Sequence, residues 1–229
     1  VARLTLVLVG GLLAVAAMAD AQRVDVSLER YRDAVGAREL GSVHGRVFHE
    51  RRRPSAPDMP LTGTAVALLP HSEAWLLRLN AIKRGARDSL ESYREAATVV
   101  RESRDAYEKT LLEAGAGDLS QGATVDADGR FTLDGIPAGP WILIAFRSTY
   151  VSKTPQERPG AERPPASPTP FLAPDRLHGY HVVTYWLREL TVVAGAVEAI
   201  DLTDRNVWFT GVTENRQAPR LPDQPYQRR

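Results

Sequence analysis

The stretch Thr124–Phe146, TVDADGRFTLDGIPAGPWILIAF, leaves the chain few folds to choose from. Asp128-Gly129 predicts a tight two-residue turn of type I′, because glycine adopts positive φ freely and aspartate tolerates it. Beyond it, Phe131 and Leu133 alternate with Arg130, Thr132 and Asp134, the period of a strand with one buried face. Gly135–Pro140 reads as a break, since each proline removes a backbone donor and fixes φ. Trp141–Phe146 is then apolar at every position, which suits a central strand covered on both faces.

The run D-x-D-G-R-F-x-L-x-G-I-P-A-G-P-W resembles the signature of carboxypeptidase regulatory-like domains, with Trp141 at the family's aromatic position. Gly45–Phe48 and Pro60–Leu68 resemble the family's first two strands, and Leu190–Leu202 its last ones. The resemblance covers about two-thirds of the mature chain and implies a mainly β fold. That fold is an antiparallel, seven-stranded, Greek-key-like β-sandwich related to transthyretin. Its motif is turn chemistry, so it implies architecture rather than activity.

Residues 1–22 have the makings of a secretory signal: Arg3, an apolar run from Leu4 to Ala17, and small residues spaced for cleavage at Ala17-Met18-Ala19 or Ala19-Asp20-Ala21. The run is shorter than the ~20 residues that span a bilayer. The expected address is the periplasm, with membrane association at most through a partner or an uncleaved N-terminal segment. The chain has no cysteine, which removes disulfides, thiolate metal sites and a cysteine nucleophile. A net charge of +1, from 29 basic and 28 acidic residues, gives no electrostatic case for nucleic acid.

In chain order, residues 23–40 form an N-terminal extension, as a short strand or a helix. The domain itself spans 41–212. Gly41–Phe48 is its first strand, Glu50–Pro60 a loop carrying Arg51-Arg52-Arg53, and Gly63–Leu69 the second strand. Residues 72–114 are a helical insertion where related domains have a short connection. Ser72 is an N-cap; Trp75, Leu79, Ile82 and Ala86 alternate at spacings of four and three, and Tyr93, Ala96 or Ala97, Val100 and Tyr107 prolong this narrow apolar seam. A straight helix of that span would reach about 60 Å, too far for the loop that follows to return. A hairpin is therefore expected, one helix ending near Lys83 and the other running from Asp88 to Glu113. Two readings of the seam are open: packing on its own sheet, or contact with another protein. Arg147–Leu177, with seven prolines between Pro155 and Pro174, reads as an extended excursion, and 149–177 as a Pro-rich loop that drapes over a partner or simply moves. Tyr180–Val193, Val197–Leu202 and Val207–Val212 read as strands, and 213–229 as a disordered tail.

No catalytic, cofactor or metal set emerges. His44 and His49, like His178 and His181, are separated by odd numbers of residues, which on strands points them to opposite faces. Asp126, Asp128 and Asp134 hold part of a calcium-loop pattern, but turn chemistry already accounts for them. H-E-x-x-H, G-x-S-x-G and a phosphate-binding glycine loop are absent from the sequence, as is the Y-R-G-S of transthyretin-like hydrolases. The expectation is a non-enzymatic exported protein, docking on a larger envelope assembly through its helical insertion and Pro-rich arm. The alternative is a carbohydrate- or peptidoglycan-binding module, with Trp186 and Trp208 as stacking platforms; an enzyme is the third reading.

Overall fold

A computed structural model describes residues 25–53, 55–152 and 177–216. These residues are mainly β, and among them are two sheets and three α-helices. One sheet is built on β1 (Leu40–His49), flanked on one side by β5 (Arg130–Pro137) and the two-residue β2 (Met59–Pro60), and on the other by β8 (Val197–Thr203). The other sheet has the order β4-β3-β6-β7-β9: Gln121–Thr124, Ala65–Pro70, Gly139–Ser152, Leu177–Val192 and Phe209–Arg216.

The apolar run at 141–146 sits where its composition requires. β6 is the middle strand of the five, and both its faces are covered. Trp141, Leu143 and Ala145 join Val66, Leu68 and Trp186 in a buried cluster shared with Val43, Val47, Phe131, Leu133 and Leu202 of the first sheet. Ile142 and Ile144 point the other way, into a second cluster beneath the helices. Strict alternation thus splits one hydrophobic run between two cores.

The insertion is a helical hairpin, α2 (Glu73–Gly85) and α3 (Leu90–Glu113). Each helix starts on a serine whose hydroxyl accepts a backbone N–H of the first turn: Ser72 from Trp75 and Ser89 from Ser92, both at 3.0 Å. Asp25 reinforces the first cap, accepting from the Ser72 hydroxyl and from Ala74 N. Trp75 and Tyr107 stack with ring centroids 4.7 Å apart, which places the start of α2 against the end of α3.

The N-terminal extension is helical: α1 (Leu28–Gly36) presses Tyr31 edge-on against Trp141 at 4.9 Å. The Tyr31 hydroxyl donates to the Pro140 carbonyl and receives the His71 N–H at 3.3 Å. The extension is therefore part of the packed body.

Several expectations need correction. The described residues hold nine strands, not seven. Asp128-Gly129 does not make a type I′ hairpin. Only Gly129 has positive φ (79°), and the turn closes through Gly129 N to the Asp126 carbonyl, while the Asp126 carboxylate accepts from Asp128 N and Arg130 N. Its flanking strands do not pair with each other: β4 joins one sheet and β5 the other, so the turn is a corner between sheets. The Gly135–Pro140 break shrinks to Ala138, because Pro137 and Pro140 hold ladder positions opposite Leu40 and Thr191. Arg147–Ser152, read as part of the excursion, extends β6 opposite Gly179–Thr184. Residues 213–216, assigned to the tail, belong to β9. One pair departs from antiparallel order: β8 runs parallel to β1, from Ser42↔Val197 to Phe48↔Thr203. The signal segment and most of the Pro-rich loop and tail lie outside the described residues.

Candidate functional site

Most of the seam turns inward. Trp75, Leu79, Val100 and Tyr107 are 4% exposed or less, and Ile82 is partly buried against the same cluster. These side chains pack on Leu69, Ile142, Ile144, Val183, Tyr185 and Phe209 of the five-stranded sheet. Of the six residues expected to meet a partner, only Tyr93 is open to solvent, at 36%. The correction has a simple cause: the sheet's outer face is as apolar as the helices, and the two cover each other.

The stacking platforms fare no better. Trp186 is 1% exposed in the core between the sheets, its indole Nε1 donating to the Thr203 carbonyl at 2.8 Å. Trp208 is half-buried, edge-on to Phe209, with the Lys83 ammonium 5.3 Å from its ring centroid. His44 lies 3.5 Å from Asp134, and His49 3.9 Å from Asp204. His44 and His49 thus sit in separate surface pairs, and the Asp126 carboxylate is taken up by the backbone of its own turn. Among the described residues no group of three or more His, Asp and Glu comes close enough to hold a metal ion.

A concave surface lies elsewhere, between α3 and the outer face of the five-stranded sheet. α3 approaches β9 at Gly211; a Cβ built there would stand 2.9 Å from the Ala97 Cβ. The Tyr185 hydroxyl crosses the same gap to the Ala97 carbonyl at 2.9 Å. Burial raises the pKa of this phenol above the ordinary tyrosine value, the nearby Arg104 and Arg101 charges opposing the rise. Beyond that contact the outer face of the sheet becomes progressively more exposed. The outer-face positions of β6 run from buried Ile142 and Ile144 to half-buried Phe146 and exposed Ser148 and Tyr150.

The result is a cleft of about 270 Å³. Its floor is Phe146, Val183 and Tyr185; Thr98 and Arg101 of α3 form one wall, with Ser148 and His181 opposite. Ser148 Oγ lies 3.0 Å from His181 Nδ1, and the imidazole packs against the Tyr150 ring at 5.1 Å. The Arg104 guanidinium covers the Phe146 ring at 4.9 Å while paired with Asp105 and Glu108. Arg101 has no such carboxylate partner among the described residues, and no acid lines the cleft.

Past Thr98 and Thr213, which line both, the cleft opens into a wider groove of about 910 Å³ between α3 and β9. Four carboxylates line this groove, Glu91, Glu95, Glu102 and Glu214, against the single guanidinium of Arg94, which pairs with Glu214 at 3.0 Å. Sequence reading passed over this site. Its residues come from four segments spread along the chain from Ala97 to Thr213, and Thr98 and Arg101 carry no pattern beyond flanking the seam. The usable signal was at Phe146, where the apolar run gives way to alternation with Ser148 and Tyr150.

No protein-family model and no curated protein matches the chain. Among solved structures it is similar to a candidate carbohydrate-binding protein of Pseudomonas aeruginosa, at 16% identity and a TM-score of 0.40, over 72% of this chain and 88% of that one. A likeness at that level carries no weight for fold or ligand.

Proposed function

We propose that this is a non-catalytic, exported binding protein built on a β-sandwich of the carboxypeptidase regulatory-like type. It serves as an interaction subunit of a larger assembly in the cell envelope. The observation that carries the reading is the cleft and groove along α3. The insertion commits its apolar seam to the sheet and, by doing so, builds a concave surface from three strands and a helix. That surface takes over the docking role first given to the seam itself. Its chemistry favours binding over turnover: the His181 imidazole meets Ser148 and Tyr150, and among the described residues no carboxylate orients it as a general base would need.

Carbohydrate binding is the second reading, favoured by the hydroxyls of Thr98, Ser148 and Thr213 around the aromatic floor residues Phe146 and Tyr185. Against it, Arg104 already covers the Phe146 ring, where a sugar would stack.

Affinity purification from native membranes tests the docking reading. Deleting the insertion would strip one whole face of the sheet, so a point change is the better tool. Thr98→Trp fills the junction of cleft and groove from a half-buried helix position. The expected result is loss of the co-purifying envelope proteins with an unchanged Tm; an identical profile from the folded variant overturns docking at this surface.

A further inference from the structure

We infer that the cleft takes the free C-terminal carboxylate of an extended peptide whose last side chain is apolar. This rests on the binding-protein reading above and names its partner's chemistry.

Charge chooses the ligand's end. Among the described residues, Arg101 brings an unpaired guanidinium to a cleft that no acid lines, with the Ser148 and Thr98 hydroxyls and the His181 ring around it. A planar carboxylate suits a guanidinium fork, which offers two parallel N–H donors. Shape chooses what adjoins it. Phe146 and Val183 give an apolar floor next to the cation, and 270 Å³ holds one side chain of Leu or Phe size with its terminal carboxylate. The opening chooses a chain over a small free acid. The cleft is not closed behind the ligand; it continues through Thr98 and Thr213 into the 910 Å³ groove. There the balance of charge reverses, with four glutamates against one arginine, so a basic residue upstream of the terminus is favoured. The groove runs beside β9, the last strand of its sheet among the described residues, whose outer edge can add main-chain hydrogen bonds to an extended segment.

The probe is a labelled pentapeptide, Lys-Ala-Ala-Val-Phe, with a free C-terminus, compared with its C-terminal amide and with free 3-phenylpropionate. Each is titrated into the full chain, with affinity read by fluorescence anisotropy or, for phenylpropionate, by amide NMR shifts mapped to residues 97–101, 146–148 and 181–185. The free-acid peptide is expected to bind at least tenfold more tightly than the amide and than phenylpropionate. Arg101→Gln, an exposed substitution, should remove the acid-over-amide preference while leaving the Tm and the weak amide binding in place; Arg101→Lys should keep part of it. Equal binding of acid and amide, no binding of either, or an acid preference that survives in Arg101→Gln overturns the proposal. Phenylpropionate binding as tightly as the peptide replaces the chain with a small acid and overturns it too. The two readings fail separately. If Thr98→Trp loses its envelope partners while acid and amide bind alike, docking stands and carboxylate capture falls. If the acid preference holds but the partner profile is unchanged by Thr98→Trp, the site stands and the docking role falls.

Discussion

Gly45 shows how a single residue sets the spacing of the core. It faces inward on β1, directly opposite Phe131 of β5, and the phenyl ring lies over it. A Cβ at Gly45 would stand 2.2 Å from the Phe131 ring and 2.9 Å from the Ile200 carbonyl. Neither neighbour has room to retreat, since Phe131 is 4% exposed and Ile200 sits in the β8 backbone beside it. Gly45→Ala is therefore expected to cost about 1–3 kcal/mol, the usual range for overpacking a filled core, read from the urea midpoint. Adding Phe131→Leu should return part of that loss, because the two changes share one space. A Gly45→Ala protein as stable as the parent would show that the ring does not depend on the glycine.

The elements were legible to different degrees, and the differences have physical causes. The helical hairpin was readable because its signals are local: a narrow apolar seam, Gly85 as a breaker, and a cap at Ser72; Ser89, which caps α3, lies one residue past the expected start at Asp88. The predicted ends, Lys83 and Asp88, fall within two residues of the observed Gly85 and Leu90. Strand partners are not local, and there reading failed. The Asp128-Gly129 turn is real, yet nothing near it says that β4 and β5 part into different sheets. β4 itself is four residues of Gln, Gly, Ala and Thr, made a strand only by pairing with β3. The cap of α2 makes a test at this scale. Ser72 accepts from Trp75 N, and Asp25 holds Ser72 in turn. Ser72→Ala is expected to cost about 1–2 kcal/mol, near the top of the capping range because the hydroxyl is buried and joins two partners. Thermal melts followed at 222 nm give the value. Asp25→Ala should weaken the same helix start, and its effect should shrink in the Ser72→Ala background; simple additivity would mean that the two residues act independently.

Across the whole molecule, three buried phenols tie the layers together. Tyr31 joins α1 to the sheets, Tyr107 donates to the Pro70 carbonyl at 2.9 Å, and Tyr185 reaches Ala97. Burial is the main cause that raises the pKa of all three above the ordinary tyrosine value. The sign for stability follows. Below about pH 10 folded and unfolded chains both keep these protons, and nothing is lost. Above it the unfolded chain releases protons that the folded chain retains, so stability falls as pH rises. The expected outcome is a Tm that drops steeply from pH 10 upward. Tyr107→Phe should flatten that drop while lowering the Tm at pH 7 through its lost hydrogen bond; an unchanged alkaline limb would remove Tyr107 from the linkage.

The parallel pairing of β8 with β1 carries a consequence for how the polypeptide reaches this state. Arg46 on β1 bonds Asp201 on β8 across 155 positions of sequence. The strand at the heart of the smaller sheet thus keeps one flank bare until nearly everything after it has emerged from the ribosome. Local hairpins such as α2–α3 can form early, but this ladder must wait for a late and costly loop closure. A nascent chain stopped short of Val197 would expose the unsatisfied amides of β1 to any passing strand, so premature termination is a route to aggregates rather than to a smaller folded protein.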